Sequence, residues 1–160
     1  MAFERKKASR KSVTNSYWQI FQWFLILVPA IYFIFIMPTI FQQGSDETVA
    51  YSHVISLFLN VFNMGVGAVL FMTHPLERSR DGAANILLIM AIVQQLISQS
   101  LFGFGLGLIA WYKLPRVVSA SALNDHEKEQ KSLSPKVLYI LMGLLLILTG
   151  VVVLSNYIVN

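Results

Sequence analysis

His53, Asn60, Gly67 and His74 recur every seven residues, and Ser56 and Asn63 follow the first two by three. On a helix, positions three, four and seven apart share a face. These residues therefore draw one polar, small-residue stripe. A second set, Gln95, Gln99, Gly103 and Gly107, recurs every four and would make a similar face on one continuous helix. In an apolar setting such residues can do two things. Amides can hydrogen-bond across a helix contact that glycines allow to close, at about 0.6–2 kcal/mol per bond. Or they can line a polar route for a solute. The expectation is that the two stripes pack on each other, with a pathway or a homo-oligomer interface as the alternatives.

Other chemistry is thinly represented. His53 is the titratable member of the stripe within an apolar stretch, while His74 precedes Pro75 and His126 sits among loop charges. Three histidines on different segments make no metal-ligand spacing, and the chain has no cysteine, so no metal and no cofactor are expected. No HExxH, GxSxG, Walker loop or dinucleotide turn occurs. The Gly103–Gly107 run, GFGLG, lies inside apolar sequence, where it cannot cradle a phosphate. Carboxylates are confined to short flanks and loops without a paired arrangement. A non-enzyme is expected.

The elements that hold these residues are long and apolar. The chain has 160 residues, 56% of them hydrophobic and 12% charged, about half the charge of an ordinary soluble domain. Four windows stand out, at about 17–41, 51–73, 84–112 and 137–158. All 12 Lys and Arg and all 8 Asp and Glu lie outside them. Each window exceeds the roughly 18–20 residues a helix needs to cross about 30 Å of hydrocarbon. The fold expected is an all-α integral membrane protein, a four-transmembrane-helix antiparallel bundle. It comprises a basic arm at 1–16, one membrane domain at 17–160 and a polar loop at 113–136, with room for about one helical turn. The net charge of +4 sits in flanks and loops, which argues for membrane topology and against nucleic acid.

Local signals refine the windows. The first is far too long for a signal-peptide h-region and is followed by no A-x-A site before Glu47, so it reads as a retained anchor. Tyr17, Trp18, Phe21, Trp23 and Phe24 crowd its start, as an interfacial aromatic belt does. Pro29 and Pro38 each remove a backbone hydrogen bond and should kink it locally. Ser134-Pro135 is a good opening for the last span, serine as cap and proline at the first helical position.

Charge exposes one conflict. Arg5, Lys6, Lys7, Arg10 and Lys11 precede the first span, which favours a cytoplasmic N-terminus, and this arm could also hold anionic lipid. Four single crossings place both termini in the cytoplasm. They also leave Lys113, Arg116, Lys128, Lys131 and Lys136 outside, against seven basic residues inside. A re-entrant third window would bring that loop back inside. It is about 29 residues long and polar at its middle, with Gln94, Gln95, Ser98, Gln99 and Ser100. A long tilted crossing is nevertheless expected, because three spans offer irregular backbone little cover. A reporter at Asp125 would then read outside. The bilayer is the expected environment, a bacterial plasma membrane the expected location. The expected role is an accessory or modulator subunit that binds another membrane protein, or a second copy, through its helices. The alternative is a small-solute transporter or channel with a polar route between the second and third spans.

Overall fold

The computed structural model describes residues 2–38, 47–118, 123, 129 and 131–159, with side chains described within 16–38, 53–118, 123, 129 and 131–158. The loop residues Asp125 to Lys128 and the Gln42–Asp46 connection lie outside the described residues, as do the side chains of the basic arm.

The chain is all-helical in its described residues. Helix α1 runs Ala2–Ile31 and passes into a π-helical turn at Tyr32–Ile36. Helix α2 is Glu47–Phe71, α3 is Ala83–Ile97, α4 is Leu101–Tyr112 and α5 is Pro135–Val159. Three stretches are long and apolar enough to cross a membrane: Ser16–Ile36, His53–Phe71 and Pro135–Ile158, of 21, 19 and 24 residues. The last begins at Pro135, and the Ser134 carbonyl accepts from Leu138 N. Pro29 is buried inside α1, and the π-helical turn opens three residues after it. That is a local departure of the kind a missing amide in the ladder permits.

The third window is the correction. It is two helices, not one long crossing. Helix α3 ends at Ile97, the chain reverses through Ser98, Gln99 and Ser100, and α4 returns beside it. At the base of this hairpin, Trp111 Nε1 donates to Asn85 Oδ1 at 2.7 Å and an Arg80 guanidinium nitrogen donates to the Tyr112 carbonyl at 2.8 Å. The Arg80 amide also donates to the Pro115 carbonyl at 2.8 Å. The chain therefore re-emerges where it entered. At 1.5 Å per residue, helices of 15 and 12 residues span about 22 and 18 Å, short of about 30 Å.

The reversal is a closed hydrogen-bonded cap. Gln99 N donates to Leu96 O at 3.1 Å, and Ser100 N reaches back to Gln95 O at 2.9 Å. This is the paired arrangement of a Schellman motif, with Gln99 in the left-handed position at φ 57°. Glycine is the usual residue there, because a Cβ in that conformation costs about 1–2 kcal/mol. The sequence carries no glycine at the turn, which is why the window reads as continuous.

The helices form a ring: α1 packs on α2, α2 on α5, α5 on α3, α3 on α4, and α4 on α1. Inside it lies one core that includes Trp18, Phe21, Leu25, Leu70, Leu87, Leu88, Leu138 and Met142. Every described helix buries one face at helical spacing: Trp18, Phe21 and Leu25 on α1; Leu87, Ala91 and Gln95 on α3; Leu138, Met142 and Thr149 on α5. The opposite faces are apolar too, with Ile86, Ile89, Val93 and Leu96 of α3 at 39–55% exposure. A helix that is apolar all round suits a lipid solvent.

Gln99→Gly should relieve the left-handed penalty and raise stability by up to about 1 kcal/mol after the added chain entropy. Gln99→Val should lower it by at least as much, both read as the unfolding midpoint in detergent.

Candidate functional site

Of the residues singled out by spacing, Asn63, Gln95 and Gly103 meet near the middle of the bundle, though not as two stripes of two straight helices. Gln95, on α3, is fully buried, and its Nε2 donates to Asn63 Oδ1 of α2 at 2.7 Å. The same amide nitrogen lies 3.2 Å from Gln94 Oε1. Gln94, also fully buried, donates through Nε2 to Thr149 Oγ1 of α5 at 3.4 Å, and that hydroxyl donates to Leu145 O at 2.8 Å. A chain of side-chain hydrogen bonds thus ties α2, α3 and α5 together at one depth. Asn63 is eight residues from Phe71 and ten from His53, about 12 and 15 Å along the helix. The layer therefore sits near mid-span.

The glycines serve close approach within the chain. Gln95, Gln99, Gly103 and Gly107 do not share one helix face, because the turn separates them. Gln95 instead meets Gly103 across the hairpin: its Oε1 occupies the space a Gly103 Cβ would need, with Ser100 Oγ beside it. Gly107 admits Ile92 and the Phe21 ring, and Gly67 lets α1 approach at Leu25 and Ile26. Gly67 thus packs on α1, not on the third window. Gly105, between the two spaced glycines, has open space around it, so the fourfold spacing picks out the pair that packs.

The rest of the α2 stripe lies beyond this layer. Asn60 Nδ2 donates to Ser56 O at 2.8 Å, and His53, Ser56 and Asn60 are all half-buried. At the turn, Ser98 Oγ donates to Gln94 O at 2.9 Å, and Gln99 is exposed. His74 caps the short Pro75–Glu77 turn through Nδ1, which accepts from Leu76 N. Among the described residues, no group of His, Asp and Glu is placed to hold a metal ion.

Several residues of consequence were not singled out by spacing. Gln94 and Thr149 carry half of the polar layer. Thr149 stands alone in an aliphatic run, and a solitary hydroxyl there is the signal that marks it. At the hairpin base, Arg78 is buried, stacks 5.7 Å over the Trp18 ring and donates to Thr73 O at 3.1 Å, a cation at the carboxyl end of α2. Arg80 stacks 5.7 Å over Trp111. Glu77 Oε2 accepts the Ala83 amide at 2.9 Å, a carboxylate at the amino end of α3. Four buried polar atoms have no hydrogen-bond partner among the described residues: Trp18 Nε1, Gln22 Nε2, Arg80 Nε and Gln95 Oε1.

Comparison with protein-family models, with curated proteins and with solved structures finds no match.

The packing arithmetic separates the glycines and the amides. Gly103→Ala forces a Cβ against the Gln95 carboxamide and should cost about 1–3 kcal/mol. Gly105→Ala meets nothing and should leave stability unchanged or raise it by up to about 1 kcal/mol. Gln95→Leu orphans Asn63 Oδ1, at about 1–3 kcal/mol. A cycle with Asn63→Leu should return a coupling of about 0.6–2 kcal/mol, all measured by unfolding in detergent.

Proposed function

We propose that the chain is a non-enzymatic membrane protein, an accessory or modulator subunit that associates with another membrane protein or a second copy through its outward helix faces. What carries this reading is the solid inner half of the ring. Trp18, Phe21, Leu70, Leu87, Leu88, Leu138 and Met142 fill it, and the amides above are bonded to one another. A route for a solute between α2 and α3 meets that core. Outward, by contrast, the helices offer aliphatic and aromatic side chains such as Phe35, Phe58, Leu101 and Ile140, which act only on lipid or on another helix.

The topology proposed with it has three crossings, α1, α2 and α5, and one re-entrant hairpin, α3–α4. It removes the conflict in charge. The N-terminal arm, the Arg78 and Arg80 connection and the basic 113–136 segment then share a face, so all 12 Lys and Arg lie on one side. The other side receives only Asp46, Glu47 and a C-terminal segment without charged side chains. The rule that basic residues stay inside makes the first face cytoplasmic. An odd number of crossings puts the two termini on opposite faces, in place of the shared cytoplasmic side that four crossings require.

A small-solute carrier is the second reading, and one observation favours it. The hairpin stops near mid-span with a polar, exposed turn, so a carrier would need the hairpin to withdraw.

Reporters at Asp125 and at the C-terminus should read cytoplasmic and external respectively; an external Asp125 would remove the three-crossing topology. Purification in mild detergent should recover a partner protein or a stable dimer. A lone monomer that still supports the chain's cellular phenotype would sink the accessory role.

A further inference from the structure

The packed core is confined to one half of the bundle. Along α2, the buried residues are Val66, Gly67, Val69 and Leu70, and from 53 to 65 none is buried. Along α5, none of the described residues after Thr149 is buried, and along α1 only Pro29 is buried after Leu25. The boundary in all three helices falls at the depth where α3 ends. Below it five helices close a ring; above it only α1, α2 and α5 continue.

The face of α2 on the side where α3 stops is its polar one, half-buried, while Val54, Phe58 and Val61 make the exposed face. Asn63 points at α3, since it accepts from Gln95. Asn60, Ser56 and His53 follow at intervals of three, four and three residues, so they share that face. Each stands above the place where α3 stops. The floor of this space is the reversal itself, with Gln99 exposed and Ser98 and Ser100 half-buried.

Hydrocarbon does not tolerate that combination. Non-helical backbone at membrane depth persists only where it is buried in protein or lines a water-filled cavity, and polar side chains within spans face the interior or water. The turn is only partly covered by protein, with Gln99 exposed between two half-buried serines.

We propose that the outer half of the bundle is a water-filled vestibule, open on the face opposite the basic loops and ending blind on the Ser98–Ser100 turn. Its walls offer amides, hydroxyls and the His53 imidazole, with no carboxylate, ammonium or guanidinium along the described stretch. The ligand class it suits is a small uncharged solute with several hydrogen-bonding groups, not an ion. The vestibule goes beyond the accessory role and rests on the three-crossing topology.

The chain contains no cysteine, so single cysteines can be placed without background. Thiolates form in water and are suppressed in apolar surroundings, so reaction with a membrane-impermeant sulfonated maleimide reports water. In sealed vesicles, Gln99→Cys, Ser100→Cys and Asn60→Cys should react with reagent added to the face opposite the basic loops. Leu96→Cys, at similar depth but 55% exposed on the outward face of α3, should react at least about tenfold more slowly. Asn160→Cys marks the topology independently and should react from the same face as Asn60→Cys. If Asn160→Cys reacts there while all three vestibule cysteines are as inert as Leu96→Cys, the topology stands and the vestibule is overturned. If Asn160→Cys reacts from the basic face, the topology itself has failed. Should the Gln99 variant not fold, the Ser100 and Asn60 variants decide the matter alone.

Discussion

A backbone amide within a packed bundle must find a partner, and at Ser98–Ser100 the chain meets that demand while turning back on itself. The last turn of α3 supplies acceptors at Gln95 and Leu96, and the amides of Ser100 and Gln99 use them. The reversal thereby closes two of its amides on the carbonyls of its own last helical turn. The price is one left-handed residue that is not glycine. Everything distinctive in the architecture follows from that turn: the ring of five helices, its restriction to one half, and the side on which the loop after α4 emerges.

Holding the turn down requires both ends of the hairpin. At its base, Arg80 binds the Tyr112 and Pro115 carbonyls and Trp111 binds Asn85. Two helices that are joined only by a three-residue turn are thus fastened at their open end. Near the tip, Gln95 lies over Gly103 and reaches Asn63. These contacts differ in character. The base uses charge, aromatic faces and backbone carbonyls. The tip uses neutral amides, which can be bonded inside without the desolvation cost of a charge.

The charge distribution and the fold explain each other. A hairpin that entered and left on the acidic side would strand Lys113 and Arg116 against the positive-inside preference. In the arrangement proposed, no basic residue has to cross, and no carboxylate lies within a candidate span. Two short helices of about 22 and 18 Å then suffice where one crossing would need about 30 Å. The length of the third window had suggested a tilted span. It is instead the sum of two short arms and a turn.

Much of this was legible in the residues. The apolar windows and their charge-free interiors mark α1, α2 and α5, because hydrocarbon thickness imposes a minimum length on any helix that crosses it. Ser134-Pro135 marks the start of α5 through proline's own geometry, and the spacing of Asn63 on α2 marks the face that meets Gln95. The basic loop after residue 112 was a further sign, since four single crossings leave it outside against the positive-inside preference. The turn at Gln99 was not legible. A glutamine between two serines carries no propensity for φ 57°, and apolar periodicity continues through it on both sides. The local cap closes on it, and tertiary contacts hold the two arms together around it: the Gln95 carboxamide lying over Gly103, and the Arg80 and Trp111 bonds at the base. Sequence alone determined that this chain is built of long apolar helices with its basic residues kept apart from them. The tertiary structure decided that one of those windows folds back, because the contacts that fasten the two arms join residues far from the turn.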